Sequence, residues 1–482
     1  MKKYFALLAT TSALFALTSC SFSQVGDMQT SEKETLRPNI LFILADDHRW
    51  DLLGNDHPII KTPNLDTLAN SGTVFKNTFV TTPICASSRI SILTGLTERT
   101  HDFTFGQPAT GVQESAAMYP ALLKQAGYRS AFVGKYEIKI SGEDSDRFDY
   151  FKPLLQAKTE QYHGQPLPQT YYIAELAKTF IEQSQDDATP WTMSVNFWNP
   201  HAHDFDQQDQ YHYPPEFESW YQDVTIPSAK LSDDDTFSTL PDFLQASIAR
   251  DRWEYRFGDE ETYQKMTKRH YRAISSVDKA VGMIIKTLEQ TGQADNTIII
   301  YTGDNGYSLN ERQLAGKWFG WEEDLRVPLI IYDPRGSADG TVSKMALNID
   351  IAPTVLDLAG VAIPDNYQGK SLTPLLKGEP TQWRNEFFFE HMYQPKRVSI
   401  PPIVGVRTDN WKYVHFYKHN HQQLYDLERD PAEAVNLALD PEYRPILDDL
   451  ASRTQAYIEH YEAQRSDEVA ARESFKNRVD SE

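Results

Sequence analysis

Five apolar runs, each long enough for one buried strand, are separated by segments with helical periodicity. The runs are rich in Ile, Val, Leu and aromatic residues, which is typical of strands buried on both faces of a sheet. Strands that alternate with helices predict an α/β fold with a large, mostly parallel sheet sandwiched by helices. The runs are NILFILADD (39–47), SAFVGK (130–135), WTMSVNFW (191–198), NTIIIYTGDNG (296–306) and VPLIIYDP (327–334).

The chain changes character after about residue 380. Closely spaced strand-like pieces, FFFEH, VGVRTDNWKYVHFY and QQLYDLE, are separated by turn residues and followed by a helical run over 443–462. This pattern predicts a smaller C-terminal α+β domain, an antiparallel sheet with a helix packed on it. We therefore expect a large domain over 38–380, a smaller one over 381–465, and a charged tail over 466–482.

The N-terminus has the pattern of a bacterial export signal. Two lysines precede an apolar run that is short for a membrane helix and ends in Leu-Thr-Ser-Cys20. This ending resembles a lipobox, in which the cysteine is lipidated and becomes the first residue. We expect a lipoprotein signal peptide over 1–19 and a flexible tether over 20–37. The protein would then be exported and lipid-anchored in the bacterial envelope, at the periplasm or cell surface; a plain signal peptide cut nearby is the alternative.

Charge and cysteine content restrict the function classes. The formal net charge of −21 argues against nucleic acid as a partner. The chain has two cysteines, so if Cys20 carries lipid, Cys85 has no disulfide partner. A lone thiol in an oxidising compartment is a liability unless it is buried or chemically committed.

Two of the strongest strands run into acidic and amide side chains. Asp46 and Asp47 follow the first run, and Asp304 and Asn305 follow the fourth. Ligands bind at the carboxyl ends of strands in open parallel sheets. Three carboxylates and an amide oxygen would form an oxygen-only site for calcium or magnesium rather than zinc. Each pair alone is more often a helix cap or turn, and it is their combination that favours a cation.

The stretch PICASSRISILTG predicts a helix with Cys85 in its first turn. A nucleophile there would sit in the positive field of the helix start. Arg89, four residues later, lies on the same face and suits an anion held over that nucleophile. A buried inert thiol and a surface ion pair are the alternatives.

Six motifs, in order, resemble the type I formylglycine-dependent sulfatases of the alkaline-phosphatase superfamily. The resemblance covers roughly residues 38–430. The motifs are ADD (45–47), C-x-S-x-R (85–89) with TG (94–95), GK (134–135), PH (200–201), GDNG (303–306), and GK (316–317) before RVPLII.

The resemblance implies that Cys85 is oxidised to formylglycine by a maturating enzyme, which would be a partner of this chain. It implies one Ca²⁺, with Mg²⁺ as the alternative, bound by Asp46, Asp47, Asp304, Asn305 and residue 85. Arg89, Lys135 and Lys317 fall on the sulfate clamp of the family. His201 falls on a histidine that contacts the sulfate and protonates the leaving oxygen.

Three positions depart from the family pattern. Ser87 stands where proline is most common. Glu137 stands where the family usually has histidine, and we carry it as a candidate base for the elimination step. Arg312 also replaces a common histidine and is a candidate substrate ligand, as is Arg407 in a group of cations and aromatics near the C-terminal domain. A solvated sheet edge is the alternative for that group.

The predicted activity is removal of sulfate from a sulfated polysaccharide or oligosaccharide, for example an algal glycan such as ulvan. One alternative keeps the fold and changes the anion, giving a phosphodiesterase or phosphonate hydrolase. Those relatives commonly use Thr or Ser as nucleophile and two zinc ions, which the oxygen-only ligands here argue against. A second alternative is a glycan-binding lipoprotein without catalysis.

Overall fold

The computed structural model describes residues 37–105, 108–206, 208–336, 340–395 and 397–472. The predicted signal peptide, the lipidation site Cys20 and nearly all of the tether lie outside these residues. From residue 37 onward the chain belongs to one compact unit. No helix among the described residues has the length and apolar character needed to cross a membrane.

The main sheet has eight strands. In chain order they are β1 (Asn39–Ala45), β2 (Thr73–Phe75), β3 (Arg129–Lys135), β4 (Tyr150–Leu154), β5 (Trp191–Asn196), β6 (Thr297–Gly303), β7 (Leu329–Tyr332) and β8 (Gly340–Val342). In space the order is β8-β2-β7-β6-β1-β5-β3-β4. All neighbouring pairs are parallel except the two that β7 makes with β2 and β6. The predicted mostly parallel sheet is confirmed, with VPLIIYDP as its reversed strand.

Helices cover both faces of this sheet. On β1, Leu41 and Ile43 pack against residues of α6 and α10, while Ile40 and Phe42 point to the opposite face and pack with α2 and α12. This alternation buries the strand on both sides, which explains its unbroken apolar sequence. The helices are α1 (Pro63–Asn70), α2 (Cys85–Thr94), α3 (Glu98–His101), α4 (Val112–Ala116), α5 (Tyr119–Gln125), α6 (Gln169–Gln183), α7 (Asp234–Ser238), α8 (Asp242–Gln245), α9 (Ile248–Phe257), α10 (Glu260–Gln290), α11 (Glu322–Leu325), α12 (Ile351–Leu358), α13 (Thr373–Leu376), α14 (Arg444–Glu462) and α15 (Asp467–Ala470).

A separate antiparallel sheet of four strands follows, with α14 packed on it, as predicted. Phe388 faces α14, whereas its neighbours Phe387 and Phe389 face the larger part of the molecule. The sheet is therefore buried on both sides. Its strands, in chain order, are β9 (Glu386–His391), β10 (Ile403–Thr408), β11 (Trp411–Phe416) and β12 (His421–Asp426).

Part of the predicted charged tail is structured. Residues 466–472 include α15, where Val469 is fully buried and Glu468 accepts a 2.8 Å hydrogen bond from the backbone of Val112. One apolar residue among the charges is enough to dock this turn, and the charge pattern alone did not reveal it.

Candidate active site

Four neighbouring parallel strands carry the predicted site residues at one edge of the sheet. Asp46 follows β1, Asp304 follows β6, Lys135 ends β3, and His201 lies five residues after β5. The register places Ala45 opposite Gly303, so the two acidic loops leave the sheet side by side. The structure therefore brings these residues together from distant parts of the chain.

The acidic loops form an oxygen-rich group that is buried. The backbone N–H of Asp47 donates to Oδ1 of Asp304 at 3.1 Å, and Asn305 Nδ2 donates to Oδ1 of Asp47 at 2.7 Å. Asp46 Oδ1 and Asn305 Oδ1 are buried without a hydrogen-bond partner among the described residues. Buried oxygens that lack donors are costly, and a hard divalent cation would satisfy them. The residues present fit such an ion.

His201 adds a nitrogen to this group. One ligand atom each of Asp46, Asp47 and His201 lie within 4.8 Å of one another, a grouping that the sequence did not indicate. Asp304 is more engaged than expected, because its Oδ1 accepts from Asp47 and its Oδ2 pairs with Arg89 at 2.9 Å.

Cys85 is the first residue of α2 and is 3% exposed. Burial raises the pKa of its thiol, an effect that Lys135 and Lys317 only partly oppose. The thiolate is the reactive form of cysteine, so the unmodified side chain at this position is a poor nucleophile.

Three cations surround the acidic group. Lys135 pairs with Asp46, and Lys317 Nζ lies 2.5 Å from Oδ1 of Asp47. Arg89 Nη1 donates to the Lys135 carbonyl at 3.1 Å and to Oδ1 of Asn196 at 3.2 Å. All three side chains are buried, so their direction is fixed by these contacts rather than by solvent.

The His201 ring is held by a hydrogen bond between Nδ1 and the Ala202 carbonyl at 2.6 Å, leaving Nε2 3.9 Å from Oδ2 of Asp47. Burial lowers the pKa of His201 well below its usual range, and the charges of Lys317 and Lys135 lower it further. In this structure the imidazole is therefore neutral at pH 7.

Cys85 opens into a cavity of about 320 Å³ with one polar and one apolar side. The polar side includes Glu137, Gln156, His201, Asp204, Arg252 and Lys317. The apolar side includes Ile84, Phe105, Trp198, Trp318, Tyr393 and Val398. The Phe105 and Tyr393 rings lie 5.5 Å apart. A sugar ring has the same division between apolar faces and polar edges.

Glu137 lies at the edge of this cavity. Its Oε2 is 3.4 Å from Nζ of Lys135, and its side chain is 34% exposed. Its backbone φ of 41° is unusual for a residue other than glycine, and such values concentrate at functional sites. The placement is compatible with a base but does not test that role.

Arg312 and Arg407 lie elsewhere, and both substrate-ligand predictions need correction. Arg312 is buried, pairs with Glu323 at 3.2 Å and donates to the Ala432 carbonyl at 2.8 Å. Arg407 is buried against Glu322. A buried arginine that satisfies carboxylates and carbonyls joins parts of the fold. The sequence could not distinguish this use from recognition of an anionic substrate.

Two polar residues in the cavity were missed, Asp204 and Arg252. Asp204 follows His201 by three residues, and Arg252 is one of two arginines spaced four apart on α9, with Arg256. Both signals are too common to single out from sequence alone.

A family model described as "Sulfatase" matches residues 38–361. This chain belongs to the sulfatase family. It is a sulfuric ester hydrolase. A second model, for the C-terminal region of N-sulphoglucosamine sulphohydrolase, matches residues 310–460 and so includes the antiparallel sheet.

Among curated sulfatases, the N-acetylglucosamine-6-O-sulfatase of Bacteroides thetaiotaomicron is 30% identical over 89% of this chain and 87% of that protein. The ulvan-active sulfatase of Formosa agariphila is 26% identical over 96% of this chain and 88% of its own length.

Solved structures agree on the fold. One, in complex with its substrate D-glucosamine-2-N,6-O-disulfate, superimposes with a TM-score of 0.75 at 27% identity, covering 90% of this chain and 100% of that one. The phosphonate monoester hydrolase of Agrobacterium radiobacter has a TM-score of 0.74 at 23% identity, covering 88% of this chain and 96% of that one. The second likeness shows the fold alone.

Proposed function

We propose that this sulfatase removes sulfate from a sulfated polysaccharide or oligosaccharide, using formylglycine made from Cys85 and one calcium ion. The observation that carries the proposal is a single cavity in which Cys85 meets Lys317 and His201. The buried acidic group next to it fits the cation, and the opposite apolar wall suits the face of a sugar ring. Sulfated sugars are also named as substrates of the relatives described above.

The ion would be held by Asp46, Asp47, Asp304 and Asn305 beside residue 85, with Mg²⁺ as the alternative metal. When present, the ion offsets negative charge on the sulfate, and the hydrated aldehyde provides the attacking oxygen. The raised pKa of the unmodified thiol supports a need for this conversion.

Arg89, Lys135 and Lys317 would bind and orient the sulfate. Their charges face the position above Cys85, where negative charge spreads over the sulfate oxygens during transfer. Arg89 is pre-organised for this task, because its bonds to Asp304 and Asn196 fix the guanidinium before substrate arrives. Little reorganisation is then needed when the substrate binds.

His201 would supply the proton to the leaving sugar oxygen. The Ala202 carbonyl accepts from Nδ1 and so directs Nε2 into the cavity. An anionic substrate next to the ring favours the protonated imidazole, which then donates from Nε2. Glu137, on the same wall of the cavity, would take up the proton released when sulfate is expelled.

The cellular setting is part of the proposal. Export, lipidation at Cys20 and contact with a maturating enzyme would place the chain in a bacterial envelope, where an algal glycan such as ulvan is a candidate substrate. The catalytic region over 38–380 and the smaller region over 381–465 would act as one body on this glycan.

Sulfate release from a panel of sulfated oligosaccharides tests the proposal, with C85A as the control. The panel includes phosphate diesters and phosphonate esters. The proposal predicts inorganic sulfate from at least one glycan and none with C85A. Phosphate or phosphonate release without sulfate release would favour the hydrolase alternative, and tight glycan binding without any release would favour a binding protein.

A further inference from the structure

Arg252 is a cation in the active-site cavity that lies outside the predicted sulfate clamp. It belongs to α9, and its guanidinium rests 4.9 Å above the ring of Trp318, the residue that follows Lys317. Its Nη2 donates to Oδ2 of Asp204 at 2.6 Å. The packing on Trp318 therefore fixes Arg252 close to the place where the sulfate is expected.

Asp204 cannot neutralise Arg252 fully, because it also serves Arg256. Nη2 of Arg256 donates to the other oxygen, Oδ1, at 2.6 Å. Arg252 and Arg256 are four residues apart on α9 and so lie on one face. Two guanidinium groups share one carboxylate, and this three-residue group retains one positive charge.

That remaining charge faces the cavity at Arg252. Arg256 is fully buried, where it also donates to Gln210 and to the Tyr307 hydroxyl. The side chain of Arg252 keeps 16% of its surface exposed. Its Nε and Nη1 have no hydrogen-bond partner within the part of the chain that the structure describes. Unused donors on a fixed guanidinium form a ready acceptor site for an oxyanion.

We propose that Arg252 binds a second anionic group of the substrate, a sulfate or a carboxylate, on the sulfated sugar or its neighbour. This inference rests on the proposed function and specifies its substrate class as one with at least two anionic groups. Glu137, the other charged residue of the cavity outside the clamp, lies by Lys135. An approaching dianion is therefore directed toward the end of the cavity at Arg252.

The kinetic test compares kcat/KM for three substrates: 4-nitrophenyl sulfate, a disulfated disaccharide, and a monosulfated disaccharide with a uronate. The variant R252A should lower the ratio of either dianionic value to the aryl sulfate value by about 10- to 100-fold, mainly through KM. R252K keeps the charge without the fork and should lie between. R444A, which removes an exposed arginine on α14, should leave the ratio unchanged.

The two dianionic substrates separate the two sources. A loss confined to the disulfated sugar identifies a second sulfate, and a loss confined to the uronate identifies a carboxylate. Ratios that stay within about twofold of the wild type for both would overturn the proposal.

Binding to the C85A protein separates this inference from the catalytic proposal. Calorimetry with the same disaccharides, with and without R252A, needs no turnover. Weakening of the dianion by about 10- to 100-fold supports the site even if no sulfate is released. Equal affinities reject it, provided that circular dichroism shows both variants folded.

Discussion

The backbone N–H of Asp47 donates a hydrogen bond of 3.1 Å to Oδ1 of Asp304. This bond ties the loop after β1 to the loop after β6, and it holds two carboxylates close together in a buried place. Mutual repulsion of such carboxylates costs stability unless cations offset it. Lys135, Lys317 and Arg89 offset part of it, and we expect a divalent cation to complete the balance.

Replacing Asp46 should weaken calcium binding. The variant D46N removes one charge from the oxygen group but keeps its shape. Since a ligand that binds only the folded state raises Tm, calcium should raise the Tm of the wild type above its value in EGTA and raise that of D46N much less. Differential scanning fluorimetry over a calcium titration measures both shifts.

D56N is the matched control, because Asp56 pairs with Lys76 near the surface. It should respond to calcium like the wild type. An equal calcium response in D46N, or none in the wild type, would contradict a metal site at the strand ends.

Asp324 should make stability depend on pH. Burial raises its pKa from 3.8 to about 8, against the opposing effect of hydrogen bonds from Ser308 and the Phe319 backbone. Between these pH values the folded state keeps a proton that the unfolded state has released. Its contribution to stability is therefore complete below about pH 4 and is lost as pH rises toward about 8.

The variant D324N imitates the protonated carboxyl and should remove this contribution to the pH dependence. Urea unfolding at pH 5 and pH 8 measures the difference in free energy between variant and wild type. That difference should shift in favour of D324N at pH 8. A difference that does not change with pH would show that Asp324 is ionised in the folded state.

Glu137 should matter for turnover rather than for binding. If it accepts the proton released during sulfate expulsion, E137Q should lower kcat by about 100-fold, the lower end for loss of a general base. E137H restores a group that can accept a proton and should recover part of the loss. Steady-state kinetics with a sulfated substrate tests this, with E143Q as an exposed control. A kcat for E137Q equal to that of the wild type would exclude the base role.

The sequence allowed the sheet edge to be predicted because strand ends carry their own chemistry. NILFILADD and TIIIYTGDNG combine an apolar strand with the acidic residues that follow it, so topology alone places Asp46 near Asp304. The helix beginning at Cys85 was predicted for a similar reason, since Pro83 and Gly95 mark its ends.

Arg312 and Arg252 show where such reasoning stops. Both are arginines outside any strand-end motif, and only the fold shows that Arg312 is buried against Glu323 while Arg252 faces the cavity. Partners at such sequence separations are fixed by tertiary packing, to which local patterns are blind. The structured turn at Val469 was missed for the same reason.

The most direct test of the central claim is the mass of the peptide that contains Cys85, from protein purified from its native envelope. Our account predicts that most molecules carry the aldehyde mass at residue 85, and that these molecules release sulfate. A thiol at residue 85 in fully active protein would contradict it.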